Sequence, residues 1–281
     1  MKTPTIRSEL RQWILDTARA GHGVPEVLKL MQQAGYEARV SRRIIAEVLN
    51  LPAEALRSEA ARPGGRRTRH PAGPLAHIDG HEVRIALSID RPPLRVLENL
   101  LAADECDALI AQARPRLQRA RTVAVDGSQQ VDASRTSAGM FFALGESPLV
   151  ARIEQRIADL FDLPVEHGEG LQILHYLPGQ EYEAHYDWFD PGQPGFAAVT
   201  ARGGQRVASV VMYLNTPEAG GGTGFPNLGL TVTALRGSAV YFAYEANDGL
   251  SLHAGLPVQR GEKWIATKWL RERPYRQPGR R

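Results

Sequence analysis

The first fifty residues place apolar side chains at helical spacing. Leu10, Trp13 and Ile14 share one helix face. Pro25 falls in the first turn of a second helix, with Val27, Leu30, Met31 and Ala34 along one side and Gly35 as its stop. Ile44, Ile45, Val48 and Leu49 mark a third, so residues 1–52 are expected to form a small helical region. From 53 to 82 the periodicity lapses into RPGGRRTRHPAGP, whose Pro, Gly and Arg content predicts a linker. Residues 95–113 read as a short lead-in and then a helix with Asp104 at its cap. Beyond 165 the period shortens to two. The runs 171–177, 207–214, 229–233, 238–244 and 263–270 are rich in β-branched and aromatic residues, and PGQ, PGQPG, GGG and RGE turns divide them. Short strands punctuated in this way predict a sandwich or jelly roll, mainly β with flanking helices, over 83–281.

Composition narrows the class. At 281 residues a single core is near its practical size, which fits one large domain and a small appendage. Hydrophobic residues at 43% and charged residues at 23% exclude a wholly disordered or fibrous chain. No apolar stretch approaches the roughly 20 residues that span a bilayer. MKTPTIRSELRQWILD lacks the apolar centre of a secretory signal. The expectation is a cytoplasmic protein with no membrane partner. Cys106 is the lone cysteine, so no intrachain disulfide, cysteine zinc site or iron–sulfur cluster can form. Net charge is +3, and the basic residues cluster as Arg57, Arg62, Arg66, Arg67 and Arg69, and again as Arg271, Arg273, Arg276, Arg280 and Arg281. No aromatic residues interleave with the first cluster, so both read as solvated segments and not as a nucleic-acid surface.

Of eight histidines, His22, His70, His77 and His81 lie in turn or linker sequence and read as solvated. His185 is different. In HYLPGQEYEAHYDWFD it stands two residues before Asp187, and an extended backbone projects both side chains from one face. Such a pair can take adjacent positions on one metal; the plain alternative is an exposed His–Asp hydrogen bond. His253, in DGLSLHAGLPV, offers a second imidazole from another β run. Two histidines and one carboxylate make the facial triad of non-haem Fe(II) oxygenases, which leaves positions open. A catalytic zinc site could use the same ligand types, although no HExxH helix is present. Along 263–269, alternation puts Lys263, Ile265, Thr267 and Trp269 on one face and Trp264, Ala266 and Lys268 on the other. A lysine inside an apolar barrel needs a counter-ion. No acid shares its face, so a ligand carboxylate is the natural candidate; the alternative is an outward lysine at a strand end.

Together these motifs resemble a known family. Y-x-x-G-x-x-Y-x-x-H-x-D (Tyr176, Gly179, Tyr182, His185, Asp187), GGQR (203–206), YLN (213–215), GGGTGFP (220–226) and H-x9-K-W (His253, Lys263, Trp264) look like the prolyl 4-hydroxylase branch of the 2-oxoglutarate/Fe(II) oxygenases. The resemblance runs from about 92 to 276 and leaves out the N-terminal helices and the Arg-rich linker. It implies a double-stranded β-helix with Fe(II) on His185, Asp187 and His253 as the catalytic centre. Lys263 would pair with the distal carboxylate of 2-oxoglutarate, with the hydroxyls of Tyr176 and Thr223 nearby. Tyr182, Arg206 and Trp269 would line a peptide groove, and Arg135 and Ser137 would sit on a loop closing over the substrate. The implied reaction consumes O2 and 2-oxoglutarate, releases succinate and CO2 and hydroxylates prolyl residues of a peptide or protein, with ascorbate a candidate reductant. The same chemistry on a free amino acid or metabolite, and a non-catalytic jelly-roll binding or sensing module, are the competing readings. Two departures bear on the substrate: Gly222 precedes Thr223 where an acid is common, and Arg271 stands where some relatives carry a histidine. The glycine run is not a phosphate loop, because no Lys-Ser/Thr follows it.

Overall fold

The structure, a computed structural model, describes residues 8–19, 24–36, 38–49, 68, 71, 73–119, 122–123, 129–130, 136–244 and 249–275. The chain divides into two units, Met1–Gly64 and Gly65–Arg281.

In the first unit the apolar stripes become three helices: α1 (Ser8–Arg19), α2 (Val24–Gln33) and α3 (Ala38–Leu49). Ile14, Val27, Met31, Ile45 and Val48 are buried together between them. Gly35, at φ +89°, ends α2: its N–H donates to Gln32 O, and the N–H of Tyr36 donates to Met31 O. These paired bonds satisfy the last carbonyls of the helix and need the left-handed backbone that glycine accepts.

The second unit carries, in chain order, β1 (Leu75–Ile78), β2 (His81–Ile89), β3 (Leu94–Glu98), α4 (Ala103–Ala113), β4 (Gln118–Arg119), β5 (Thr122–Val123), β6 (Gln129–Gln130), β7 (Ala138–Phe142) and α5 (Pro148–Phe161). Then follow β8 (Leu171–Tyr176), β9 (Tyr182–His185), α6 (Phe196–Thr200), β10 (Arg206–Tyr213), β11 (Ala219–Gly220) and β12 (Thr223–Phe225). Last come β13 (Leu230–Val232), β14 (Ala239–Ala243), β15 (His253–Gly255), β16 (Val258–Arg260) and β17 (Lys263–Arg271). Nine strands form one antiparallel sheet in the order β1-β2-β3-β14-β10-β17-β8-β7-β4, and four form a second in the order β13-β12-β15-β9. β5–β6 and β11–β16 are separate pairs.

Period-two alternation gives the large sheet two apolar faces. Ala208, Val210 and Met212 of β10 and Trp264, Ala266 and Leu270 of β17 face Leu109 of α4 and Ile153, Ile157 and Leu160 of α5. The alternate residues Val211, Tyr213 and Ile265 join Leu174 and Tyr176 against Phe225, Val232 and Val258 from the smaller strands. Each fully buried aliphatic or aromatic side chain here contributes roughly 1.5–3 kcal/mol. The helices therefore cover one face, and the other becomes the interior of a jelly roll. Lys268 falls on the helix-covered face, where its ammonium meets Glu154 of α5 at 2.6 Å.

Several expectations need correction. The linker predicted over 53–82 runs too far, because β1 and the start of β2 lie inside it and pair in register, Ile78 opposite His81. Alternating exposure along these two strands dilutes their apolar signal; residues 51–67 lie outside the described residues. His77 and His81 accordingly sit in strands, and His81 Nε2 is 4.0 Å from Glu105 Oε2; His22 and His70 lie outside the described residues. Asp104 does not cap α4. Ala102 is the N-cap, and the Glu105 carboxylate accepts its backbone N–H at 3.0 Å, because the helix starts one residue before Asp104. Arg271 is not a solvated tail residue: it closes β17, only 3% exposed. Arg57, Arg62, Arg66, Arg67, Arg69, Arg276, Arg280 and Arg281 lie outside the described residues.

Candidate active site

Strand register explains how groups remote in the chain meet. β15 pairs with β9 so that His253 lies directly opposite His185, with ring centroids 4.3 Å apart. Asp187 stands just past the end of β9. Its Oδ1 is 3.6 Å from His185 Nε2, and its Oδ2 is 3.5 Å from His253 Nε2. One ligand atom from each residue lies within 4.8 Å of the others. The Nδ1 atoms are engaged elsewhere: His185 Nδ1 is 2.8 Å from Glu183 O, and His253 Nδ1 is 3.0 Å from Ser251 O. A carbonyl can only accept, so each Nδ1 carries the proton and each Nε2 is left as a lone-pair donor. Tyr182 stacks on His185 at 3.7 Å, and Phe242 lies 4.6 Å from His253.

Asp187 is gripped from behind by the large sheet. Ser209 of β10 donates to its Oδ2 at 2.5 Å, Tyr244 hydrogen-bonds to Ser209, and Tyr244 Oη lies 3.5 Å from the same Oδ2. Burial works against ionisation of Asp187; in the metal-free site, where the imidazoles can take a second proton on Nε2, His253 and His185 in that protonated form hold its carboxyl well below the ordinary range. Burial, reinforced by the Asp187 charge, pushes the Tyr244 hydroxyl well above its ordinary value. Arg206 donates to Asp187 O at 3.2 Å while forking onto both oxygens of Glu169 at 2.6 and 3.0 Å. Its guanidinium also lies 4.0 Å from the Trp269 ring centroid, and Arg271 Nε stands 2.7 Å from Glu169 Oε1. Glu169 is thus a buried carboxylate between two guanidiniums, and their charges hold its pKa low against the effect of burial.

Deeper in the jelly roll lies Lys263, opposite Tyr176 in the β17–β8 register and 1% exposed. Its Nζ is 5.2 Å from the Tyr176 ring centroid, and no described carboxylate forms an ion pair with it. Burial alone lowers its pKa to about 8. A Cβ at Gly255, two residues after His253 on the same strand, would lie 3.8 Å from Nζ, so the ammonium borders the strand that carries a metal ligand. Thr223 pairs with Gly255 across β12–β15 and accepts a 2.7 Å hydrogen bond from Tyr213 Oη. The glycine run serves this packing. At Gly221 (φ +70°) a Cβ would come 3.2 Å from Lys263 Cδ, and at Gly222 it would press to 2.9 Å on Val232 O. Any side chain at 222 would therefore require the backbone at Val232 to shift.

The structure therefore gathers His185, Asp187 and His253 at one point, with Tyr182 against it and Lys263, Tyr176 and Thr223 behind. Trp269 is buried beside Arg206, and its indole N–H has no hydrogen-bond partner among the described residues. Ser137 is buried with its hydroxyl likewise unpartnered among the described residues, and Arg135 lies outside them. Ser209, Tyr244 and Glu169 escaped the sequence reading. A serine on the inward face of the apolar run VASVVMYL, and a tyrosine extending the alternation of Val240 and Phe242, were the available signals.

The donor set fits Fe(II): two imidazole nitrogens and one carboxylate oxygen leave half of an octahedron for other ligands. The unpartnered buried ammonium fits an organic carboxylate bound beside it. Comparison with known proteins agrees. Residues 171–271 match the model of the 2OG-Fe(II) oxygenase superfamily. Probable prolyl 4-hydroxylase 10 of Arabidopsis thaliana is 39% identical over 209 residues, covering 66% of this chain and 71% of that protein. Prolyl 4-hydroxylase 2 of the same plant is 37% identical over 206 residues, covering 64% and 67%. Among solved structures, the viral collagen prolyl hydroxylase of Paramecium Bursaria Chlorella virus-1, in complex with 2-oxoglutarate, aligns at a TM-score of 0.50 and 29% identity over 63% of this chain and 95% of its own. Fold, donor set and relatives converge on one assignment, and the chain belongs to the prolyl 4-hydroxylase family of 2-oxoglutarate/Fe(II)-dependent oxygenases.

Proposed function

We propose that this oxygenase hydroxylates prolyl residues within a peptide or protein, using Fe(II) on His185, Asp187 and His253 and 2-oxoglutarate anchored at Lys263. The observation that carries the reading is the buried Lys263 ammonium, without a carboxylate partner among the described residues, beside the strand that bears His253. When bound there, Fe(II) and 2-oxoglutarate would supply the oxidising chemistry, by which one atom of O2 would end in succinate, with loss of CO2, and the other in a substrate C–H bond. The chain supplies placement. Protons fixed on the two Nδ1 atoms aim both Nε2 lone pairs at the metal position. Lys263 neutralises the distal carboxylate of 2-oxoglutarate. Thr223, already accepting from Tyr213, keeps its own O–H to donate there, and Tyr176 flanks the ammonium. Tyr182 offers aromatic surface to the substrate, and Glu169 holds Arg206 over the buried Trp269 ring at that edge. A peptide is favoured by the relatives named prolyl 4-hydroxylases and by the viral enzyme named for collagen.

The test is succinate release with Fe(II), 2-oxoglutarate, ascorbate and air, run with a proline-containing peptide library and with free amino acids. The expected result is peptide-stimulated turnover and a prolyl product heavier by one oxygen atom in mass spectra. Turnover stimulated only by a free amino acid would transfer the reading to a small-molecule oxygenase. No succinate under any condition would leave a binding module.

A further inference from the structure

Asp187 lies beyond the last residue of β9, so its own strand does not fix its side chain. What fixes it comes from elsewhere in the sheet. Ser209 sits in the middle of β10, opposite Phe242 of β14 and Trp269 of β17, so its side chain points toward the triad. Tyr244 follows β14 directly, and its N–H donates to Val207 O, which continues the β10–β14 ladder by one step. Two strands of a nine-stranded sheet thereby hold the Ser209 and Tyr244 hydroxyls in register behind one carboxylate oxygen.

We infer that Ser209 and Tyr244 form a hydroxyl relay that positions Asp187 for the metal. Tyr244 donates to Ser209, Ser209 donates to Oδ2, and Oδ1 remains as the oxygen offered to iron. The chemistry follows from the donor inventory. An ionised carboxylate accepts only, and Ser209 stands 2.5 Å from Oδ2 against 3.5 Å for Tyr244, so Ser209 makes the direct bond and accepts in turn from Tyr244. Both hydroxyls act through Asp187, which makes them positioning residues. Partners of this kind orient metal ligands, and their loss costs roughly 10–100-fold in metal affinity or activity. The inference rests on the metal reading of His185, Asp187 and His253.

The test is Mn(II) titration of the full-length, metal-free chain followed by electron paramagnetic resonance, without 2-oxoglutarate and without turnover. Wild type is expected to bind. Ser209→Ala, which removes one oxygen and no packing, should weaken binding at least about tenfold, and Tyr244→Phe should weaken it less. Ser209→Thr should restore affinity to within about threefold of wild type, because the hydroxyl returns. The visible bands of Co(II)-loaded Ser209→Ala should shift as the freed Oδ2 becomes available to the metal. Melting of the metal-free variants guards against misfolding, and should stay close to wild type. If wild type binds no metal, the triad reading fails and the relay with it. If wild type binds and Ser209→Ala binds equally well with an unchanged Co(II) spectrum, the relay alone is overturned.

Discussion

Lys263 and Tyr176 face one another across adjacent antiparallel strands, with the ammonium 5.2 Å from the ring centroid and no described carboxylate to neutralise it. A buried charge left in this condition is costly, and the cost is recovered when an anion binds. Removing one partner of a buried ion pair costs roughly 3–5 kcal/mol. Lys263→Ala is therefore expected to weaken 2-oxoglutarate binding to the metal-loaded chain by roughly two to three and a half orders of magnitude, at about 1.4 kcal/mol per decade. Titration followed by calorimetry checks this, and a loss below about threefold would show that another group anchors the co-substrate.

The same burial predicts a proton signature. With its pKa lowered to about 8 from an ordinary 10.5, Lys263 releases its proton in the folded chain before it would in the unfolded one. Between those values the unfolded chain binds more protons, so stability of the unliganded protein should rise with pH there and be lowest below 8. A bound carboxylate pulls the pKa back up. At pH 8, 2-oxoglutarate binding should then take up about half a proton more in wild type than in Lys263→Arg, whose guanidinium is always charged. Calorimetry in two buffers of different ionisation enthalpy measures the difference, and equal uptake by both proteins would contradict it.

How much of this was legible in the chain differs from residue to residue. The metal ligands were visible because their chemistry restricts residue type: H-x-D on an extended segment and a later histidine narrow the options quickly. That Lys263 shares a face with Ile265 followed from alternation, since a strand has only two faces; which face is the interior did not. The β1–β2 hairpin stayed hidden, because its strands sit at a sheet edge with half their positions exposed and a Pro/Gly/Arg stretch leads into them. Long-range pairing hid more. Nothing local to Arg271 marks Glu169, a hundred residues earlier in the chain, as its partner, so Arg271 read as one more charge in a basic tail. The grip of Ser209 on Asp187 is likewise a property of sheet register, which no local period encodes.

Glu169 is predicted to be a stability hinge for the substrate edge. It is the shared counter-ion of Arg206 and Arg271, whose side chains are only 10% and 4% exposed. Glu169→Gln keeps the shape and removes the charge, which leaves two buried guanidiniums uncompensated. The expected loss is about 3–5 kcal/mol, read as a lower urea midpoint with an unchanged slope. The pH dependence has a definite sign. The folded-state pKa of Glu169 lies below its ordinary 4.5, so its contribution is complete above that value and is lost as pH falls through the lowered one. Wild type should therefore lose stability on acidification more steeply than Glu169→Gln.

Metal removal should be visible in stability, and Asp187 decides whether it is. A ligand that binds only the folded chain adds RT ln(1 + [L]/Kd), or about 2.7 kcal/mol at 100 times Kd. For a unit of this size that corresponds to a rise in Tm of roughly 5–11 °C on adding Mn(II), reversed by a chelator. Asp187→Ala deletes one of three ligands and the acceptor that holds Ser209, so the Mn(II)-dependent rise should vanish while the circular dichroism of the jelly roll persists. Loss of the rise without loss of the fold separates a metal ligand from a structural carboxylate. A full Mn(II) response in that variant would mean that the histidines bind metal without Asp187, and the facial arrangement would have to be abandoned.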